Sequence, residues 1–156
     1  MSDQSLLQTL EQLIPDVADR VLNHFFHRTT ASHKSDGSIV TEADFAMQEA
    51  LTETLKGIAP DIVMLSEEME PQQQMEVMES GQSYWCLDPV DGTNNFHHGV
   101  PLFAVSLALI NQQQIQLGII YDPVRKEVFS AQQNSGLRIN GKCFIQMAQP
   151  ESLQQC

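Results

Sequence analysis

The sequence predicts an α+β domain in which two long helices pack on an antiparallel sheet. Three observations lead there. Two N-terminal stretches carry apolar residues every three or four positions, which is the helical period. From Phe103 onward the apolar residues instead fall in short blocks separated by turn residues, the pattern of strands. The 156 residues, 42% of them hydrophobic, suffice for one globular domain with a single core, so 1–156 reads as one unit.

Leu6, Leu7, Leu10, Leu13, Ile14, Val17, Ala18, Val21, Leu22 and Phe25 form the first stripe. They predict a helix from Ser5 to about His27, with a kink or break near Leu13–Ile14 because Pro15 lacks a backbone donor. His24, His27 and His33 cluster loosely near its end without the spacing of a zinc site. Ser32–Ser38 is a polar loop rich in turn residues. Thr41-Glu42-Ala43-Asp44 then fits a capping box opening a second helix. Ala43, Ala46, Met47, Ala50, Leu51 and Leu55 form its buried stripe, and Gly57 is its expected stop. By itself Asp44 is a first-turn acid, worth about 0.5 kcal/mol at a helix N-terminus.

Ile62–Leu65 reads as a short buried strand ending at Ser66-Glu67-Glu68. Met69–Gln82 is a polar excursion with a short helix around Met75–Met78. Tyr84–Leu87 is the next strand, and a turn bearing two carboxylates, Asp88 and Asp91, follows it. Phe103–Ile110, Ile115–Tyr121 and Glu127–Ala131 are further strands of a meander, with Asn140-Gly141 as a type I′ hairpin.

The chemistry concentrates in Asp88-Pro89-Val90-Asp91-Gly92-Thr93-Asn94-Asn95-Phe96. A hard cation such as Mg²⁺ takes oxygen ligands, which Asp88, Asp91 and the Val90 carbonyl can supply. The amides of Gly92 and Thr93 can hold phosphate oxygens. The plainer reading is a strand-to-turn corner whose aspartates cap the next helix. Capping explains neither the second carboxylate nor the Asn94-Asn95-Phe96 continuation.

A formal net charge of −12 disfavours a nucleic-acid backbone or an anionic membrane as partner. No stretch reaches the length of a membrane span, and Met1–Leu10 has no apolar signal run. Cys86, Cys143 and Cys156 lack C-x-x-C spacing, which implies free thiols in a reducing compartment and a cytoplasmic protein. Cys86 is expected to be a small core residue rather than a catalytic thiol.

The Asp88–Phe96 string, placed after an apolar strand, resembles the first signature of the inositol monophosphatase-like phosphatases, which are Mg²⁺-dependent, lithium-sensitive phosphomonoesterases. Val40-Thr41-Glu42-Ala43-Asp44 is similar to that family's V-T-x-A-D segment. Ser66-Glu67-Glu68 is similar to its G-E-E motif, with Ser66 where glycine is usual, and Gly136–Lys142 is similar to its G-x-x-x-N-G-x segment. The resemblance implies the first half of a layered αβαβα sugar-phosphatase fold. It implies Mg²⁺ held by Glu67, Asp88, the Val90 carbonyl and Asp91. Asp44, Thr93 and Glu67 would orient and deprotonate the attacking water, while Asp91, Gly92 and Thr93 would hold the phosphate.

The implied substrate is a small phosphomonoester, inositol 1-phosphate foremost. Nucleotide 3′-phosphatases, fructose bisphosphatases and histidinol phosphatases share the signature, and full-length members of the family form homodimers. Family members also carry a second α/β half with a W-D-x-A segment, which nothing here matches. The chain is therefore expected to be the N-terminal domain alone, with an apolar docking surface left open. A metal- or phosphate-binding module without turnover and a purely structural domain are the alternatives of other classes.

Overall fold

In a computed structural model, residues 3–26, 30–33 and 39–144 are described. His27, loop residues 34–38 and Cys156 lie outside them. Helix α1 (Asp3–Phe25) runs through Pro15 without interruption, so the expected break is absent. Leu10 and Ile14 before the proline and Ala18 and Leu22 after it all enter one core, which holds both segments in place. The missing donor leaves only the Glu11 carbonyl without its helical partner. Strands β1 (Ala31–His33) and β2 (Ile39–Thr41) form a small antiparallel ribbon, so part of the expected loop is paired.

Helix α2 (Glu42–Ile58) buries Ala43, Met47, Leu51 and Leu55, one residue per turn along a single face. It passes through Gly57, which is not the stop. Ala59 leaves helical geometry at φ −146° and ψ 72° because the ring of Pro60 excludes the α region for the preceding residue.

The remaining elements are β3 (Val63–Ser66), α3 (Pro71–Glu79), β4 (Tyr84–Asp91), α4 (Thr93–His97), β5 (Ala104–Asn111), β6 (Gln114–Asp122), β7 (Glu127–Gln132), β8 (Gly136–Ile139) and β9 (Lys142–Cys143). The seven strands β3 to β9 form one sheet in sequence order. From β4 to β9 neighbours are antiparallel, as expected, but β3 and β4 are parallel. Parallel neighbours need a crossover, and α3 with its flanking turns supplies it.

Trp85, Leu87, Val105, Leu107, Leu117, Ile119, Tyr121 and Val128 join the α1 and α2 stripes in one core. Side chains alternate along a strand, so their neighbours Cys86, Asp88, Ala108, Gly118, Ile120, Phe129 and Ala131 project to the other side. That side is open: Ile120 is 48% and Ile115 64% exposed. Cys86 is therefore a half-buried thiol of the open face, not a residue packed under the helices. Burial and the nearby Asp88 charge raise its pKa, which disfavours the reactive thiolate.

Candidate active site

The parallel register assembles the site. Ser66 pairs with Leu87, and the Glu67 N–H donates to the Leu87 carbonyl at 3.3 Å. Glu67 therefore leaves β3 beside the point where β4 continues into Asp88. Strand β4 does not end at Leu87, as the sequence suggested, but runs to Asp91. Its pairing with β3 stops at Leu87, so Pro89, which has no N–H, meets no ladder on that side. Between Asp88 and Asp91 the register with β5 shifts, which marks an irregularity of the bulge kind. The two aspartates thus project from an irregular strand end rather than from a turn.

The turn comes one residue later. Gly92 sits at φ 90° and ψ 33°, and a Cβ there would lie 2.9 Å from the Leu102 carbonyl oxygen. Both the left-handed backbone and the close approach require glycine. From it the chain enters the short helix α4 at Thr93.

Glu67, Asp88, Val90, Asp91, Gly92 and Thr93 line one cleft of about 420 Å³, together with Ile39 and Asn94. Every residue expected at the metal or the phosphate is thus in one place. Asp44 does not line the cleft but reaches it through Thr93. It is 1% exposed, and its two oxygens divide two tasks. Oδ2 accepts from the Thr41 N–H at 2.8 Å and from Thr41 Oγ1 at 2.6 Å, which caps α2. Oδ1 lies 3.1 Å from Thr93 Oγ1, which in turn lies 2.8 Å from the Val90 carbonyl oxygen. The threonine has one proton for these two acceptors.

Burial pushes Asp88 up to a pKa of about 6, and the charges of Glu67, Asp91 and Asp44 push the same way against a hydrogen bond from the Val90 N–H. Its Oδ1 is buried and has no hydrogen-bond partner. A buried carboxylate oxygen without a partner, among further carboxylates, is the environment a hard cation relieves. Among the described residues no three His, Cys, Asp or Glu side chains form a group that could hold a metal ion between them. Mg²⁺ does not ask for one, since it keeps several waters and uses one or two carboxylates with substrate phosphate. Any two of Glu67, Asp88 and Asp91, with the Val90 carbonyl, fit that description for one ion.

The histidines lie elsewhere. His97 and His98 do not line the cleft; His98 Nδ1 is 2.8 Å from the Asn94 carbonyl oxygen, and His97 Nδ1 is buried without a partner. Of the histidines near α1, His24 stacks edge-on to Phe25. Sequence reasoning missed Ile39 and Gln74, which bonds the turn carrying Glu67. Neither belongs to a motif that would have singled it out.

The sequence matches the model of the inositol monophosphatase family over residues 2–156, and the chain belongs to that family. It is 34% identical over 118 residues to a fructose-1,6-bisphosphatase/inositol-1-monophosphatase of Thermotoga maritima, covering 76% of this chain and 43% of the relative. It is 36% identical over 128 residues to the 3′(2′),5′-bisphosphate nucleotidase CysQ of Salmonella typhimurium, covering 81% of this chain and 51% of the relative. A crystal structure of an IMPase/NADP phosphatase complexed with Mg²⁺ and phosphate superimposes with a TM-score of 0.75 at 26% identity, over 95% of this chain and 56% of that one. The chain thus spans about half the length of the relatives it matches.

Proposed function

We propose that the cleft serves Mg²⁺-dependent hydrolysis of small phosphomonoesters, inositol 1-phosphate foremost, and that residues 1–156 are the N-terminal domain of such an enzyme. The observation that carries this reading is the convergence of Glu67, Asp88, Asp91 and the Thr93–Asp44 pair on one cleft, with Asp88's affinity for a proton raised by its burial and its neighbours. A solved relative complexed with Mg²⁺ and phosphate supports it. So do the phosphatase names of the relatives, which also keep bisphosphorylated sugars and nucleotides in play as substrates.

When bound, Mg²⁺ lowers the pKa of a coordinated water and neutralises charge on the phosphoryl group. Glu67, Asp88, Asp91 and the Val90 carbonyl would hold it. Thr93 would give its proton to Asp44 Oδ1, one of its two acceptors, and Thr93 Oγ1 would then present a lone pair to the attacking water. Thr93 thereby orients the water and takes its proton, while Asp44, anchored through its other oxygen, receives the threonine's own. The Gly92 and Thr93 amides hold phosphate oxygens as charge builds on them.

The test is Mg²⁺ calorimetry with phosphate present, on wild type, Asp91→Asn and Thr93→Ala, followed by turnover of inositol 1-phosphate, fructose 1,6-bisphosphate and a nucleotide 3′-phosphate. Binding that disappears in Asp91→Asn but survives in Thr93→Ala, with turnover lost in both variants, is the expected result. Binding without turnover in wild type makes the chain a metal- and phosphate-binding module. Absence of Mg²⁺ binding in wild type removes the reading.

A further inference from the structure

Glu67 reaches the cleft on a turn, Ser66–Met69, that continues past the last pair of the β3–β4 ladder. A side chain from α3 fastens this turn. The Gln74 amide nitrogen lies 3.1 Å from the Ser66 carbonyl oxygen, 3.2 Å from that of Glu67 and 3.0 Å from that of Met69. An amide NH₂ carries two protons, so three carbonyls share them and all three are drawn to one point. The turn closes on itself as well, with the Met69 N–H donating to the Ser66 carbonyl at 3.2 Å and the Ser66 N–H to Met69 Sδ at 3.3 Å. Helix α3 meanwhile has no buried residue, so core filling does not account for its place.

We propose that Gln74 is a positioning residue: it sets the entry of Glu67 into the cleft and through it the Mg²⁺ affinity. The inference rests on the Mg²⁺ reading above. The Glu67 peptide groups are tied on both sides, the N–H to Leu87 in β4 and the carbonyl to Gln74 in α3. Strand β4 also carries Asp88 and Asp91, so Gln74 locks the glutamate backbone in register with the two aspartates. With the backbone fixed, only side-chain torsions remain to be set when a cation arrives. Groups that orient a metal ligand in this way alter metal affinity by about 10–100-fold when removed. Gln72 on the same helix bonds Glu76 at the surface and provides an internal control.

The experiment compares wild type, Gln74→Glu, Gln74→Ala and Gln72→Ala by amide hydrogen exchange without metal and by Mg²⁺ calorimetry with phosphate. Gln74→Glu keeps the shape but turns acceptor oxygens toward three carbonyls. Its extra negative charge alone would tighten cation binding, so weaker binding can come only from the turn. Both Gln74 variants are expected to speed exchange at the Met69 amide and to weaken Mg²⁺ binding by about tenfold or more, with the Gln72→Ala chain unchanged. Should Gln74→Glu fail to fold, Gln74→Ala carries the comparison. Mg²⁺ affinity within twofold of wild type in a folded Gln74 variant overturns the proposal. Wild type that binds no Mg²⁺ overturns the functional reading, and the exchange data then decide separately whether Gln74 holds the turn.

Discussion

Asp88 shows at the scale of one residue how a site can oppose the stability of its own fold. Its carboxyl titrates at about 6, above the ordinary range, because burial and the charges of Glu67, Asp91 and Asp44 disfavour ionisation. A carboxyl raised in the folded state binds more protons there than in the unfolded chain between its two pKa values. Metal-free stability should therefore fall as pH rises from about 4 through about 6, and the strain is present in full at neutral pH. Asp88→Asn removes it: that variant should be more stable than wild type at pH 7 without metal and should lose this part of the pH dependence. Denaturant melts at pH 5 and pH 7, with and without Mg²⁺, check both, and a variant less stable than wild type at pH 7 refutes the argument. Gly92 makes the opposite case, since Gly92→Ala meets the Leu102 carbonyl and an unfavourable φ at once. We expect a loss of about 1–3 kcal/mol in the same melts. Asp88, Asp91 and Gly92 were legible because their motif is contiguous. The bond from Thr93 to Asp44 joins residues 49 apart and leaves no local trace, so only family resemblance pointed to it.

At the scale of elements, periodicity revealed what it physically encodes and nothing more. It found α1, α2 and the meander because burial repeats with the helix or the strand. It did not show that β3 and β4 are parallel, since alternation records which face is buried and not which way the chain runs. That direction brings Glu67 beside Asp88, so the feature that most shapes the site was the one hidden from the pattern. Turn chemistry was equally selective. Asn140 and Gly141 take positive φ of 48° and 74°, as their types suggest, but Gln112 and Gln113 take 50° and 60° in the β5–β6 hairpin with no glycine to ease them. A left-handed backbone at such a residue costs about 1–2 kcal/mol. The double variant Gln112→Asn, Gln113→Gly should therefore stabilise the chain by about 1–2 kcal/mol and leave Mg²⁺ binding untouched, since the hairpin is not among the cleft residues. A lower melting temperature for that variant would show that the glutamines earn their place by other contacts.

For the whole molecule, the sheet divides the protein into a finished side and an open one. Helices α1 and α2 cover one face, whereas Ala108, Gly118, Ile120, Phe129, Ala131 and Leu137 line a shallow apolar cleft of about 250 Å³ on the other. Ile120 and Leu137 are exposed, and Cys86 and Asp88 stand on the same face nearer the strand ends. Apolar patches of this kind rarely stay uncovered in soluble proteins. Since the chain spans about half the length of its relatives, further chain is the cover expected in a longer protein. For residues 1–156 alone, the expected cover is a second copy. The net charge of −12 opposes that association, and salt screens the repulsion over a Debye length of about 10 Å at 0.1 M. Self-association should therefore strengthen between low and physiological salt, the reverse of a contact held by ion pairs. Ile120→Lys, which places a charge where the side chain is already half exposed, should reduce association at a stability change within about 0.5 kcal/mol. Sedimentation equilibrium at two salt concentrations reads all of this. Wild type that stays monomeric in both would mean the acidic surface outweighs the apolar face, and that the sheet is soluble with one side bare.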